Sequence, residues 1–321
     1  MKSRTHLQRF LTGLALIALC ACARLSGLAA STNVFFTQFE FGEGYSTNYD
    51  LAGQKSWTSE GTGGNGILAG FFPGQGQQAY LGFSPPDAGD DQLVVWPTNQ
   101  FNPVALGLPV VKFSVQMQVA DSSNGNYDFF QWRAYNRQGK RLFIIDFDNY
   151  FTNINYRLDG TNNYVDTGVS FAPDTTYTLF VTMNFASNRW SASLDNTLIV
   201  TNLPMTTTNA QLSYGDMDAV WLLYDTNAPG DNYLLFDNYH VTAETLPAPA
   251  SQVQFLGRTS EGWALVRVLG TDGFRWSLDG TTNFVNWTAL KTNTISSGFF
   301  DHVDMTATPF SRRFYRARLV P

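Results

Sequence analysis

A chain of 321 residues holds only two cysteines, three histidines, five lysines and five glutamates, and each shortage removes a class of chemistry. Both cysteines, Cys20 and Cys22, lie in the first thirty residues. A chain beginning at Ser31 therefore has no disulfide, no thiol nucleophile and no Cys-ligated metal, and its stability must come from core burial. Only 14% of the residues are charged and the formal net charge is -6. That excludes a nucleic-acid binder, because phosphate neutralisation needs clustered Lys and Arg. Beyond residue 30 no apolar run is long enough to cross a membrane as a helix.

The abundant residues are those of strands and turns. Phe, Tyr and Trp number 26, 14 and 8, with 27 Gly and 13 Pro, and Thr, Asn and Asp are frequent. With 44% hydrophobic residues the chain can fill one large core or two modest ones. Disorder and collagen are excluded.

Lys2, Arg4 and Arg9 precede an apolar run from Phe10 to Ala23, followed by small residues. This is the pattern of an export signal over residues 1–30, with cleavage sites after Ala23 or Ala30. Leu19-Cys20-Ala21-Cys22 also resembles the lipobox of bacterial lipoproteins, departing from it in the Cys at the second place. On that alternative Cys22 carries a lipid that holds the chain on a membrane. The expected location is secreted or in the cell envelope. After the leader, Ser31–Pro249 has 21 acidic and 8 basic residues, whereas Ala250–Pro321 has 5 and 8. Leu246-Pro247-Ala248-Pro249-Ala250-Ser251 stands at that shift. Residues 247–251 are expected to link a domain at 32–246 to a second at 252–321.

Period two dominates the first domain. In Val111, Phe113, Val115, Met117 and Val119 every second residue is apolar, the signature of a half-buried strand. Tyr127 to Tyr135 and Lys140 to Asp148 flank Asn136-Arg137-Gln138-Gly139, a hairpin connection. Pairing Tyr135 with Lys140 sets Trp132 opposite Phe143 and Phe130 opposite Ile145 on the core face. The other face then carries Tyr127, Phe129, Gln131, Arg133, Asp146 and Asp148, and is expected to be exposed. Further strands are expected at Ile154–Asp159, Tyr177–Phe185, Arg189–Asp195, Ala219–Asp225 and Tyr233–Thr242, between Asp-Gly, Ser-Asn and Pro-Gly turns. So many short strands make an all-β sandwich.

Phe39-Glu40-Phe41-Gly42, Thr176 to Val181, Trp190 to Asp195 and Phe236 to Val241 resemble segments of concanavalin A-like (laminin G-like) jelly rolls. The likeness covers most of Thr32 to Glu244. It implies an antiparallel jelly-roll sandwich, and a structural Ca²⁺ where the first and last strands meet, held by Glu40 and Asp237 with carbonyls and water. Gly270 to Gly273, Asn286 to Leu290, Phe300-Asp301 and Arg312 to Ala317 resemble a small C-terminal β-domain common in exported proteins of environmental bacteria, which implies an attachment or spacer role. A second, small β-sandwich is expected there, its core supplied by Trp263, Phe274, Trp276, Trp287, Phe299 and Phe314.

The inventory for catalysis is thin. The Glu-x-Asp-x-Glu strand of the glycosidases that share the resembled fold is absent, and Glu40 and Glu43, three apart, face opposite sides of a strand. No Gly-x-Ser-x-Gly elbow and no phosphate-cradling loop occurs. The sequence therefore reads as an exported, non-enzymatic carbohydrate-binding or surface-adhesion protein whose partner is a polysaccharide or cell-surface glycan. Aromatics to stack on sugar rings, and amides and carboxylates to meet their hydroxyls, lie on the Tyr127, Phe129, Gln131, Arg133, Asp146 and Asp148 face. A polysaccharide hydrolase or lyase, with Asp146 and Asp148 on one face, and a purely structural envelope protein are the alternatives.

Overall fold

The computed structural model describes residues 31–320 except 88, 247, 248, 272, 273 and 296. The leader with Cys22, and part of the expected linker, lie outside the described residues. The chain divides into two compact units, one within Ala29–Pro247 and one within Ala248–Pro321.

The larger unit is built from β1 (Ser31–Thr37), β2 (Trp57–Glu60), β3 (Asn65–Ala69), β4 (Gln77–Gly82), β5 (Gln92–Pro97), β6 (Val110–Ala120), β7 (Phe129–Tyr135) and β8 (Arg141–Asp148). It continues with β9 (Asn153–Leu158), β10 (Val165–Ser170), β11 (Tyr177–Asn184), β12 (Arg189–Leu194), β13 (Thr197–Pro204), β14 (Asp216–Leu222) and β15 (Tyr233–Glu244). These form two antiparallel sheets. One has the order β13-β12-β11-β6-β15-β4-β3 with β1 also on β15, the other β10-β9-β8-β7-β14-β5-β2. The protein is thus an all-β sandwich, as its composition requires.

The apolar stripe of each strand explains how the sheets meet. Val111, Phe113, Val115, Met117 and Val119 of β6 are buried against Phe130, Trp132 and Ala134 of β7 and Phe143, Ile145 and Phe147 of β8. Across the interface Phe113 and Trp132 lie 5.2 Å apart by ring centroids, and Phe143 stacks on Trp190 at 3.8 Å. The Trp132 indole N–H finds Met117 Sδ at 3.3 Å, and the Tyr239 hydroxyl donates to the Met217 carbonyl at 2.8 Å. The polar tips of Trp132 and Tyr239 are therefore satisfied inside the core.

In the smaller unit, β16 (Ser251–Arg258), β17 (Ala264–Gly270) and β20 (Phe299–Asp304) form one sheet, and β18 (Arg275–Thr281), β19 (Thr288–Thr294) and β21 (Phe314–Val320) another. Its core is Ala264, Val266, Val268, Trp276, Leu278, Ile295, Phe300 and Ala307. Of the six aromatics expected there, only Trp276 belongs to it. Phe274 and Phe299 are exposed, and the side chain turned inward is the next one in the strand, Phe300. Trp287 instead lies under the Arg316 guanidinium, 4.3 Å from its ring centre, and Phe314 packs on Phe284. Ion pairs supplement this small core: Asp279 is buried between Arg316 and Arg318, and Asp304 is paired with Arg313.

Candidate functional site

The β7–β8 hairpin places the expected residues, with a shifted register. Trp132 faces Ile145 and Phe130 faces Phe147, two residues from the expected pairing. Because side chains alternate with period two, an offset of two returns the residues from Phe143 to Asp148 to their intended faces. Phe130, Trp132, Phe143 and Ile145 all enter the core.

The opposite face is not the solvated surface expected. Gln131 is 0% exposed, Asp146 2% and Arg133 8%, and they form one hydrogen-bonded chain. Gln131 Nε2 donates to Asp146 Oδ1 at 2.7 Å and to the Tyr164 hydroxyl at 2.8 Å. Arg133 Nε donates to Gln131 Oε1 at 2.7 Å and its Nη1 to Gln92 Oε1 at 2.9 Å. Asn155 of β9 donates to Asp146 Oδ2 at 3.3 Å. Phe129, Gln131, Asp146, Asp148, Asn155, Tyr164 and Leu222 enclose a pocket of about 240 Å³. Four of the six expected residues thus line one cavity, and Arg133 stands behind it. Tyr127 does not take part: it precedes β7 and sets its ring edge against Tyr150 at 5.9 Å. Extended alternation back to residue 127 fails because the strand starts at Phe129.

Several residues of this face were not anticipated. β14 begins at Asp216, not Ala219, so Asp216 and Asp218 sit opposite Tyr135 and Arg133. The signal was present in Asp216-Met217-Asp218-Ala219, two carboxylates two apart. Tyr164 comes from the turn after β9, and nothing in its local sequence marks it.

Burial governs the protonation of these acids. It pushes the Asp146 carboxyl up to about 6, against the hydrogen bonds of Gln131 and Asn155, which favour the anion. Burial also raises both Asp216 and Asp218, and the nearby Asp216 raises Asp218 further.

Glu40 and Asp237 stand where β15 changes partner, from β4 at Tyr233–Phe236 to β1 at Tyr239–Glu244. Asn238, at φ 52°, makes the kink. Glu40 follows β1 rather than belonging to it, and accepts the Gln77 amide N–H at 3.2 Å. Asp237 Oδ1 accepts from its neighbour's N–H, while its Oδ2 and Gln77 Oε1 are buried with no hydrogen-bond partner. Burial, then repulsion from Glu40 and Glu43, lifts Asp237 to about 7. Among the described residues no three His, Cys, Asp or Glu side chains converge as a metal site. The donors present are all oxygen, carboxylate and amide, which suits a hard cation completed by carbonyls and water. Among the described residues no helix is long and apolar enough to cross a membrane.

Fold and site together define an all-β sandwich with a pocket of mixed polar and apolar lining on the outer face of one sheet. No family model matches the chain, and no curated protein matches it. Among solved structures it is similar to a sialidase, with a TM-score of 0.45 and 9% identity over 65% of this chain and 18% of that one. It is also similar to Cip1, a cellulose induced protein, with a TM-score of 0.45 and 11% identity over 64% of this chain and 96% of that one. A third is a protein with a galectin-like fold from Bacillus subtilis, with a TM-score of 0.44 and 11% identity over 68% and 100% of the two chains. The chain spans only 18% of the sialidase's length. None of these likenesses carries a functional residue across.

Proposed function

We propose that the larger unit is a concanavalin A-like (laminin G-like) domain that binds a polysaccharide or cell-surface glycan without cleaving it. The observation that carries this reading is the pocket of about 240 Å³ in which planar amides, carboxylates and the rings of Phe129 and Tyr164 converge. Sugars present apolar C–H faces to aromatic rings and hydroxyls to bidentate amide and carboxylate partners. Tyr164 is the partly exposed member, so Tyr164→Ala tests the site with least damage to the core. It is expected to abolish binding on a glycan array while the Tm moves little; undiminished binding refutes the site.

The reading extends to export through residues 1–30, with Cys22 as the lipid attachment of the alternative, to an attachment role for the smaller unit, and to Ca²⁺ at Glu40 and Asp237. The cation would tie β1 to β15 in a chain without disulfides. The buried oxygens of Asp237 and Gln77 that lack partners support it. A second reading, a polysaccharide-degrading enzyme, is favoured by the buried Asp146, which holds its proton to about pH 6 as a general acid does. Release of new reducing ends from a bound polysaccharide separates it from binding alone.

A further inference from the structure

We propose that Arg133, Arg141 and Arg157 form an anion-binding subsite beside the pocket, fitted to a carboxylate or sulfate group of an acidic glycan. This rests on the carbohydrate-binding reading and narrows its ligand to a class.

Local backbone geometry brings the three side chains together. Strict alternation from Asp146 would turn Arg141 toward the core and Leu142 outward. The β7–β8 pairing is broken instead by a bulge between Ala134 and Tyr135, after which Tyr135 faces Arg141. Leu142 is then buried in the core and Arg141 joins the face of Arg133. Arg157 reaches the same face from β9, opposite Ile144, and stacks on the Tyr164 ring, 4.8 Å from its centre.

Among the described residues no carboxylate forms an ion pair with these groups. The ion pairs among the described residues involve Lys112, Arg267, Arg313, Arg316 and Arg318, and none involves the three guanidiniums of this face. Arg141 Nε and Arg157 Nε are buried without a hydrogen-bond partner, a state a bound anion would relieve. The smaller unit shows the ordinary alternative, in which Arg316 and Arg318 share the buried Asp279. Burial, and then the neighbouring guanidiniums of Arg157 and Arg133, hold Arg141 below its usual value, the mark of crowded cations. Asp146 and Asp218 lie near Arg133, but neither forms an ion pair with any of the three guanidiniums. Asp159, which with Arg141 lines an open cleft of about 440 Å³, is already engaged by Thr206, Thr207 and Thr208. An acidic sugar can therefore lay its ring on Tyr164 and its anionic group on the guanidiniums.

The domain's overall charge sharpens the test. With 21 acidic and 8 basic residues in Ser31–Pro249, its general field repels polyanions, so binding to one requires a local site. Affinity electrophoresis of the full chain would compare polygalacturonate and alginate, which carry carboxylates, with dextran sulfate, and with neutral dextran and xylan. Arg141→Gln and Arg157→Gln are each expected to weaken polyanion binding about tenfold or more, the loss of one charge-assisted contact. Arg189→Gln, the same charge change on exposed β12, is expected to have no effect, and melting curves check that each variant folds. The carboxylate and sulfate arms identify the anion. Binding to neutral glycans alone, unchanged in both variants, overturns the subsite and leaves the carbohydrate-binding reading standing. Failure to bind any glycan on a broad array overturns both.

Discussion

Replacing Asp146 with Asn removes a charge from one of the least exposed positions of the outer face and is isosteric. The Asn carbonyl oxygen keeps the bond from Gln131, now 2.7 Å long, and Asn155 has only to rotate its amide to accept from the new NH₂. What changes is the linkage between stability and pH. In the folded chain Asp146 loses its proton at about 6, whereas its ordinary value is 3.8. Between those values the folded state holds a proton that the unfolded state has released, so this group stabilises the fold at low pH and its contribution is lost as pH rises through 6. Two units at 1.36 kcal/mol each give about 3 kcal/mol in full, of which about 2 kcal/mol disappears between pH 4.5 and pH 8. Urea unfolding at the two pH values measures this directly. With an m-value of about 3 kcal/mol per M, the drop in midpoint from pH 4.5 to pH 8 is expected to be about 0.7 M larger in the wild type than in Asp146→Asn. Asp216, Asp218 and Asp237 are raised by burial too and contribute in the same direction, but they are common to both proteins and cancel in the difference. Parallel pH profiles for the two proteins would refute the claim that Asp146 is a desolvated carboxylate.

Trp132→Ala empties the space between Phe113, Phe236 and Tyr239. It is expected to destabilise the larger unit by about 3–5 kcal/mol; a loss below about 1 kcal/mol would mean the two sheets do not pack through this ring. If Glu40 and Asp237 hold Ca²⁺, a chelator lowers the Tm, added Ca²⁺ restores it and Asp237→Ala removes the response, whereas a Tm indifferent to chelator excludes the ion. Asp279→Ala strips Arg316 and Arg318 of their shared buried partner and is expected to weaken the smaller unit by about 2 kcal/mol, read as faster hydrogen exchange along β18. Unaltered protection there would show that the pairs contribute nothing.

The faces of the strands were legible because they depend only on parity. The β6 stripe from Val111 to Val119 and the two sides of the β7–β8 hairpin followed from alternation, and a register error of two residues did not disturb them. A one-residue departure is a different matter. The bulge that sends Arg141 outward and Leu142 inward has no glycine or other marker in Lys140-Arg141-Leu142-Phe143, so strict alternation would put both residues on the wrong side. In the smaller unit the inward side chain is Phe300 and not the expected Phe299. The burial of Gln131, Arg133 and Asp146 was likewise hidden. It depends on residues distant in sequence, Gln92, Tyr164 and the Asp216–Asp218 strand, which supply hydrogen bonds and cover.

The two outer faces of the sandwich differ in a way that stability alone does not explain. On the sheet containing β6, the outward residues Lys112, Thr182 and Phe180 are exposed, the ordinary arrangement for a half-solvated sheet. On the sheet containing β7, the corresponding positions bury Gln131, Arg133, Asp146, Asp216 and Asp218. Burying polar groups costs free energy unless every one is paired, yet Asp218 Oδ1, Arg141 Nε and Arg157 Nε lack partners. A sheet face selected only for folding would fill such positions with apolar residues or leave them in water. The large core of Trp, Phe and Val side chains between the sheets supplies the stability that tolerates this arrangement. A local breach of the packing rules is sustained here by a core that obeys them.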